Sequence, residues 1–148
     1  MTTVMLSVLL LTFVLFGSGC RSGDPSLEIE SSQALLSPLI IGSGSVFLNI
    51  VNSGNGPDRL TSARVDLPGT LTELHDMHDD KMVRTEYILV PPRGALRLRP
   101  AGPHIMIFRL PKDMKEGSVI PLILFFERSG QKKVSVSIVN DFVNNLGR

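Results

Sequence analysis

The segment VIPLILFFERSGQKKVSVSIV, residues 119–139, decides the fold class. Two apolar runs, Val119–Glu127 and Lys132–Val139, flank SGQ at 129–131 and read as strands closing on a tight turn. The same grammar extends toward the N-terminus. In Ser45–Asn52, Val46, Leu48 and Ile50 fall on one face and Phe47 and Val51 on the other, and SGNGPD at 53–58 is turn chemistry. Leu60–Leu67, Thr70–Met77, Arg84–Val90, Ala95–Leu98 and Ile105–Leu110 follow as short runs parted by proline and glycine. Eight or nine such strands, with a turn signal about every ten residues, predict an all-β antiparallel sandwich or barrel. No amphipathic helix of useful length is visible. Leu35–Ile41 is apolar but interrupted by Ser37 and Pro38, and reads as an edge strand or loop.

The chain of 148 residues has room for one domain and a short extension. Val4–Phe16 is an apolar run broken only by Ser7 and Thr12, and GSGC follows at 17–20. That length suits the hydrophobic region of a signal peptide rather than a spanning helix. Small residues before Cys20 suggest a lipoprotein cleavage box, giving a signal peptide over 1–19, a spacer over 20–26 and a folded domain over 27–148. An uncleaved N-terminal anchor is the alternative. Either arrangement exports the domain and tethers it to a membrane.

Cys20 is the only cysteine, so the domain has neither a disulfide nor a thiolate ligand. A metal site in it must use nitrogen, thioether or carboxylate. The formal charge is +1 with no basic run, which argues against a nucleic-acid partner.

Residues 73–82, ELHDMHDDKM, gather two of the three histidines, two of the six methionines and four carboxylates. His75-x-Met77 recurs as His104-x-Met106. Residues two apart on a strand share a face, so each pair sets an imidazole beside a thioether. With His78, Asp79 and Asp80 at a hairpin bend of even length, Met82 falls on the face of His75 and Met77. Imidazole with thioether suits Cu(I) better than zinc or hard cations. Glu73, Asp76, Asp79 and Asp80 add a negative field that draws a cation in. A single His-x-Met is ordinary strand sequence, and His78 by itself reads as a solvated turn residue.

These residues resemble the periplasmic copper chaperones of the PCu(A)C family. Its pattern is a His, ten residues, a Met, twenty-one residues, then His-x-Met, and Met82, His104 and Met106 match the second spacing. VFLNIVNSGNGPDRL (46–60), ELH (73–75), VPPRG (90–94), RPAGPHIMIF (99–108) and MKEGSVIPLILFFE (114–127) resemble that family's segments, so the likeness covers about residues 27–139. One departure is six residues, not ten, between His75 and Met82. The resemblance implies a cupredoxin-like Greek-key sandwich binding one Cu(I) through His75, Met82, His104 and Met106, with Met77 or His78 as additional or substitute ligands. It implies a carrier outside the cytoplasm; the segment before Cys20 predicts a periplasmic lipoprotein lipidated at that residue, and a monomer is expected. The implied recipient is the cytochrome c oxidase subunit carrying the CuA centre, or another copper chaperone. The tail NDFVNNLGR lacks the His- and Met-rich extension that some members use for a second site.

An enzyme is not expected, since no G-x-S-x-G elbow or thiol nucleophile accompanies the histidines. A blue-copper electron carrier would need a cysteine ligand. The competing readings are a membrane-anchored β-sandwich binding or assembly module without metal, and a copper storage or tolerance protein.

Overall fold

The computed structural model describes residues 23–140, and the signal segment and lipidated Cys20 expected from sequence lie outside them. Among the described residues the chain is all β. Its ten strands are β1 (Leu27–Leu36), β2 (Gly44–Asn52), β3 (Asp58–Val65), β4 (Leu71–His78), β5 (Lys81–Arg84), β6 (Ile88–Val90), β7 (Gly94–Leu98), β8 (His104–Phe108), β9 (Val119–Phe126) and β10 (Gly130–Val139). They form one sheet in the order β5-β4-β8-β2-β1-β10-β9-β3-β6, with β7 pairing β2 beyond β8. The β1–β10 pair is parallel and the other pairs are antiparallel, so the sheet is mixed rather than purely antiparallel.

The sheet curls until β3 and β4 face each other, where the Thr72 hydroxyl donates to the Ala63 carbonyl. The alternation seen in sequence fills the interior. Val46, Leu48 and Ile50 of β2 meet Leu74, Ile105 and Ile107 from β4 and β8, and Leu60, Val65, Ile120, Leu122, Leu124 and Phe126 from β3 and β9. Burying such side chains stabilises the fold by about 1.5–3 kcal/mol each.

Two expectations need correction. Leu35 and Leu36 end a central strand flanked by β2 and β10, not an edge, and the loop begins only at Ser37. The run Arg84–Val90 is two strands, because Thr85 turns inward to donate its N–H to Leu74 O while its hydroxyl donates to Tyr87 O.

Two buried polar side chains close the end at which the chain enters. Asn52 accepts from the N–H groups of Ser26 and Gly54 and donates to the carbonyls of Gly56 and Pro91. All four of its hydrogen-bonding sites are thereby used. Asp58 accepts from the N–H groups of Arg59, Arg128 and Ser129, fixing the β9–β10 turn against β3. Gly54 and Gly56 lie so close to residues 23–26 that a Cβ on either would collide with their backbone.

Candidate metal centre

The β4–β5 hairpin closes on two residues. Asp79 and Asp80 have φ of 49° and 58°, the positive pair that a tight two-residue hairpin turn requires. His78 pairs with Lys81, Met77 with Met82, and His75 with Arg84. On the other side of β4, His75 pairs with His104 and Glu73 with Met106, and Met106 in turn pairs with Ser45 of β2. Directly paired residues share a face, so the outer surface of β5-β4-β8-β2 is a grid. One row holds Glu73, Met106 and Ser45. The next holds Arg84, His75 and His104, and the third holds Met82 and Met77.

His75, Met77, Met82, His104 and Met106 are thus all brought to one face, with the core on the reverse of the same strands. His78 is one residue out of phase and projects from the opposite face, with Asp76 and Val83. Of the four carboxylates in the 73–82 stretch, only Glu73 stands among the candidate donors.

The two imidazoles lie with ring centroids 5.6 Å apart, tilted by 52°. Each has one nitrogen engaged. His104 Nδ1 donates to the Gly102 carbonyl at 2.9 Å, which leaves Nε2 bare. The β7–β8 turn builds this contact, since Arg99 N–H bonds Pro103 O and Gly102 N–H bonds Arg99 O, bringing the Gly102 carbonyl under the first residue of β8. His75 Nε2 lies 3.0 Å from Glu73 Oε2, and Glu73 Oε1 lies 3.6 Å from Arg84 Nη1. Metal-binding histidines commonly carry such an acceptor on the nitrogen that does not ligate.

His104 is buried at 8% exposure, against the ring of Phe47. Burial pushes its pKa below the ordinary 6.5, the nearby His75 acts in the same direction, and the hydrogen bond to Gly102 opposes both. The result is an imidazole held neutral near pH 7, the form a metal can use.

Met77 and Met82 are exposed at 36% and 38%, at the solvent edge of the grid. Met106 is partly buried, and its sulfur accepts a hydrogen bond from Ser45 Oγ at 3.1 Å. Among the described residues no three His, Cys, Asp or Glu groups converge as a hard-ligand cage. The candidate donors on this face are two imidazoles and three thioethers, a mixture that suits soft ions better than hard ones.

Sequence reasoning did not place Glu73 in contact with His75, Arg84 with Glu73, or Ser45 with Met106. Glu73 was within reach, because the same two-residue rule that joins Met77 to His75 also joins Glu73 to it. Ser45 and Arg84 needed the cross-strand register, which no local pattern carries.

The family model described as "Putative lipoprotein LpqE-like" matches residues 36–138. A Rickettsia prowazekii (strain Madrid E) protein, "Uncharacterized protein RP573", is 26% identical over 106 residues, covering 68% of this chain and 58% of that protein. This chain therefore spans less than two thirds of that relative. Solved structures share the fold. The copper-bound PCuAC domain from PmoF2 superimposes with a TM-score of 0.67 at 20% identity, covering 78% of this chain and 93% of that one. The apo PCuAC domain from PmoF1 gives 0.68 at 23% identity, over 80% and 98%. The CuI form of DR1885 from Deinococcus radiodurans gives 0.63 at 20% identity, over 80% and 79%. At these identities the likeness is one of fold, and it agrees with the cupredoxin-like architecture expected from sequence.

Proposed function

This chain belongs to the LpqE-like family, and on that premise we propose that it is a copper carrier, working outside the cytoplasm, that holds one Cu(I) as cargo on the outer face of β5-β4-β8-β2. The observation that carries the reading is the His75–His104 cross-strand pair, flanked by Met77 and Met82 on one side and by Met106 on the other. His75, Met82, His104 and Met106 are the ligands, and Met77 is an alternative thioether beside Met82. His78 faces the other way and is left out.

The shortened hairpin is compatible with this set. Four residues fewer, two from each arm, would shorten the hairpin beyond the Met77–Met82 pair and keep the register nearer its base, so His75 and Met82 retain their relation. Neutral ligands let the ion bind without releasing a proton from sulfur, and Met82, exposed at the rim of the site, is where an incoming partner's donors can begin to replace them. Exchange of ligands, rather than catalysis, is the chemistry such a face supports.

The family description supports a lipoprotein, with Cys20 as the lipidated residue and the periplasmic side of a membrane as the place of action. Delivery to the CuA centre of cytochrome c oxidase, or to another copper-handling protein, is the role this site suits. A storage or tolerance role would use the same ligands but would not release copper to a CuA domain.

X-ray absorption on the Cu(I)-loaded full-length chain tests the ligand set. A mixed shell of sulfur and nitrogen is expected, and a shell of nitrogen and oxygen alone would contradict it. Incubation with a copper-free CuA domain tests delivery, through appearance of the CuA absorption.

A further inference from the structure

The carboxylate of Glu73 has a place that neither the core nor a general negative field explains. It sits two residues before His75 on the same strand face, and one of its oxygens is 3.0 Å from His75 Nε2. The other oxygen is 3.6 Å from Arg84 Nη1, and Arg84 is the direct cross-strand partner of His75. The side chain of His75 is only 18% exposed and that of Glu73 33%, so the contact is made against the sheet rather than in open solvent.

A glutamate carboxylate at neutral pH only accepts hydrogen bonds. His75 must therefore donate from Nε2, which leaves Nδ1 as its bare nitrogen. His104 is tied the other way round, with Nδ1 donating to Gly102 and Nε2 bare. From this we infer that Glu73 is a positioning residue of the copper site. It fixes His75 in the Nε2–H tautomer so that Nδ1 meets the ion, and Arg84 steadies the carboxylate. The two facing imidazoles then offer different nitrogens. Glu73 is not itself a ligand. The inference rests on the copper-carrier reading and adds to it a tautomer, a ligating atom and a residue that sets affinity from outside the donor set.

The test uses the full-length chain with 15N-labelled histidine, before and after one equivalent of Cu(I), whose closed shell leaves the spectra sharp. Long-range 1H–15N correlations report which ring nitrogen carries the proton. In the wild type His75 should be protonated at Nε2 in both states. Glu73→Ala should give mixed tautomers in the metal-free protein and lower Cu(I) affinity about 10–100-fold. Glu73→Gln, whose amide oxygen can still accept, should restore most of both. A purely structural role for Glu73 would leave the tautomer unchanged.

Protonation of His75 at Nδ1 in the copper-loaded wild type would overturn the inference. So would a Glu73→Ala protein with unaltered tautomer and affinity. Those results leave the carrier reading standing, whereas a wild type that takes up no Cu(I) removes the carrier reading and the inference together.

Discussion

Met106 and His104 show what single side chains contribute. Met106→Leu keeps volume and apolarity, a swap that costs less than about 1.5 kcal/mol in a packed setting. It should lower the melting temperature by no more than several degrees while lowering Cu(I) affinity by at least about tenfold, since removing a donor should cost no less than removing an outer partner. Equal affinity in a competition assay would exclude Met106 as a ligand. His104 makes a prediction about acid. Its pKa in the fold lies below the unfolded value of 6.5, because burial and His75 disfavour the charged ring. The unfolded chain therefore binds the extra proton first. The stability contributed by neutral His104 is complete above about pH 6.5 and is lost as pH falls through the folded pKa. Thermal melts of the metal-free protein between pH 7.5 and about 5 should show this loss, and His104→Gln should lessen it. At this scale two local groups were legible, since the His-x-Met spacings and the even bend set His75, Met77 and Met82 on one face and His104 beside Met106, while the β4–β8 pairing that joins them was not. The hydrogen bonds that tie one nitrogen of each imidazole were not, because Gly102 and Glu73 are ordinary residues until the backbone brings them close.

Asp58 links elements rather than serving the site. Its carboxylate accepts three backbone N–H groups, one at the start of β3 and two in the β9–β10 turn. Burial alone would raise its pKa, but the hydrogen bonds from Ser129, Arg128 and Arg59 together outweigh burial and hold it below 3.8. The stability it contributes is present above 3.8 and disappears as pH falls through the folded value. Asp58→Ala leaves those donors without their acceptor and should destabilise the fold by about 2–4 kcal/mol, read as a lower denaturation midpoint with the copper affinity of the folded protein intact. The strands around it were legible where alternation is clean, as in β2 and β9. β1 was not recognised, for a definite reason. Ser31 takes φ of 48° and the register with β2 shifts between Glu30 and Ser32. The bulge moves the inward positions from Leu27 and Ile29 to Ala34 and Leu36, so no single period runs through LEIESSQALL. The parallel pairing of β1 with β10 was hidden too, because it joins two segments about a hundred residues apart.

For the molecule as a whole, the curled sheet separates two tasks. Its inner face holds a continuous apolar core, and the outer face of β5-β4-β8-β2 is thereby free to present polar and thioether donors on a rigid support. The proposed ligands lie on the β4–β5 hairpin and on β8, so a bound ion would tie the hairpin to β8. A cargo held at a hundred times its dissociation constant adds about 2.7 kcal/mol to folding, so Cu(I) loading should raise the melting temperature by several degrees, and Zn(II) should do so far less. The central claim is most directly tested by an anaerobic competition titration of the full-length chain with Cu(I) against a chromophoric chelator, with His75→Ala and Met82→Leu alongside. The account predicts one tightly held Cu(I) per chain, weakened by both substitutions. A wild type unable to draw copper from a weak chelator, or variants that bind as well as the wild type, would contradict it.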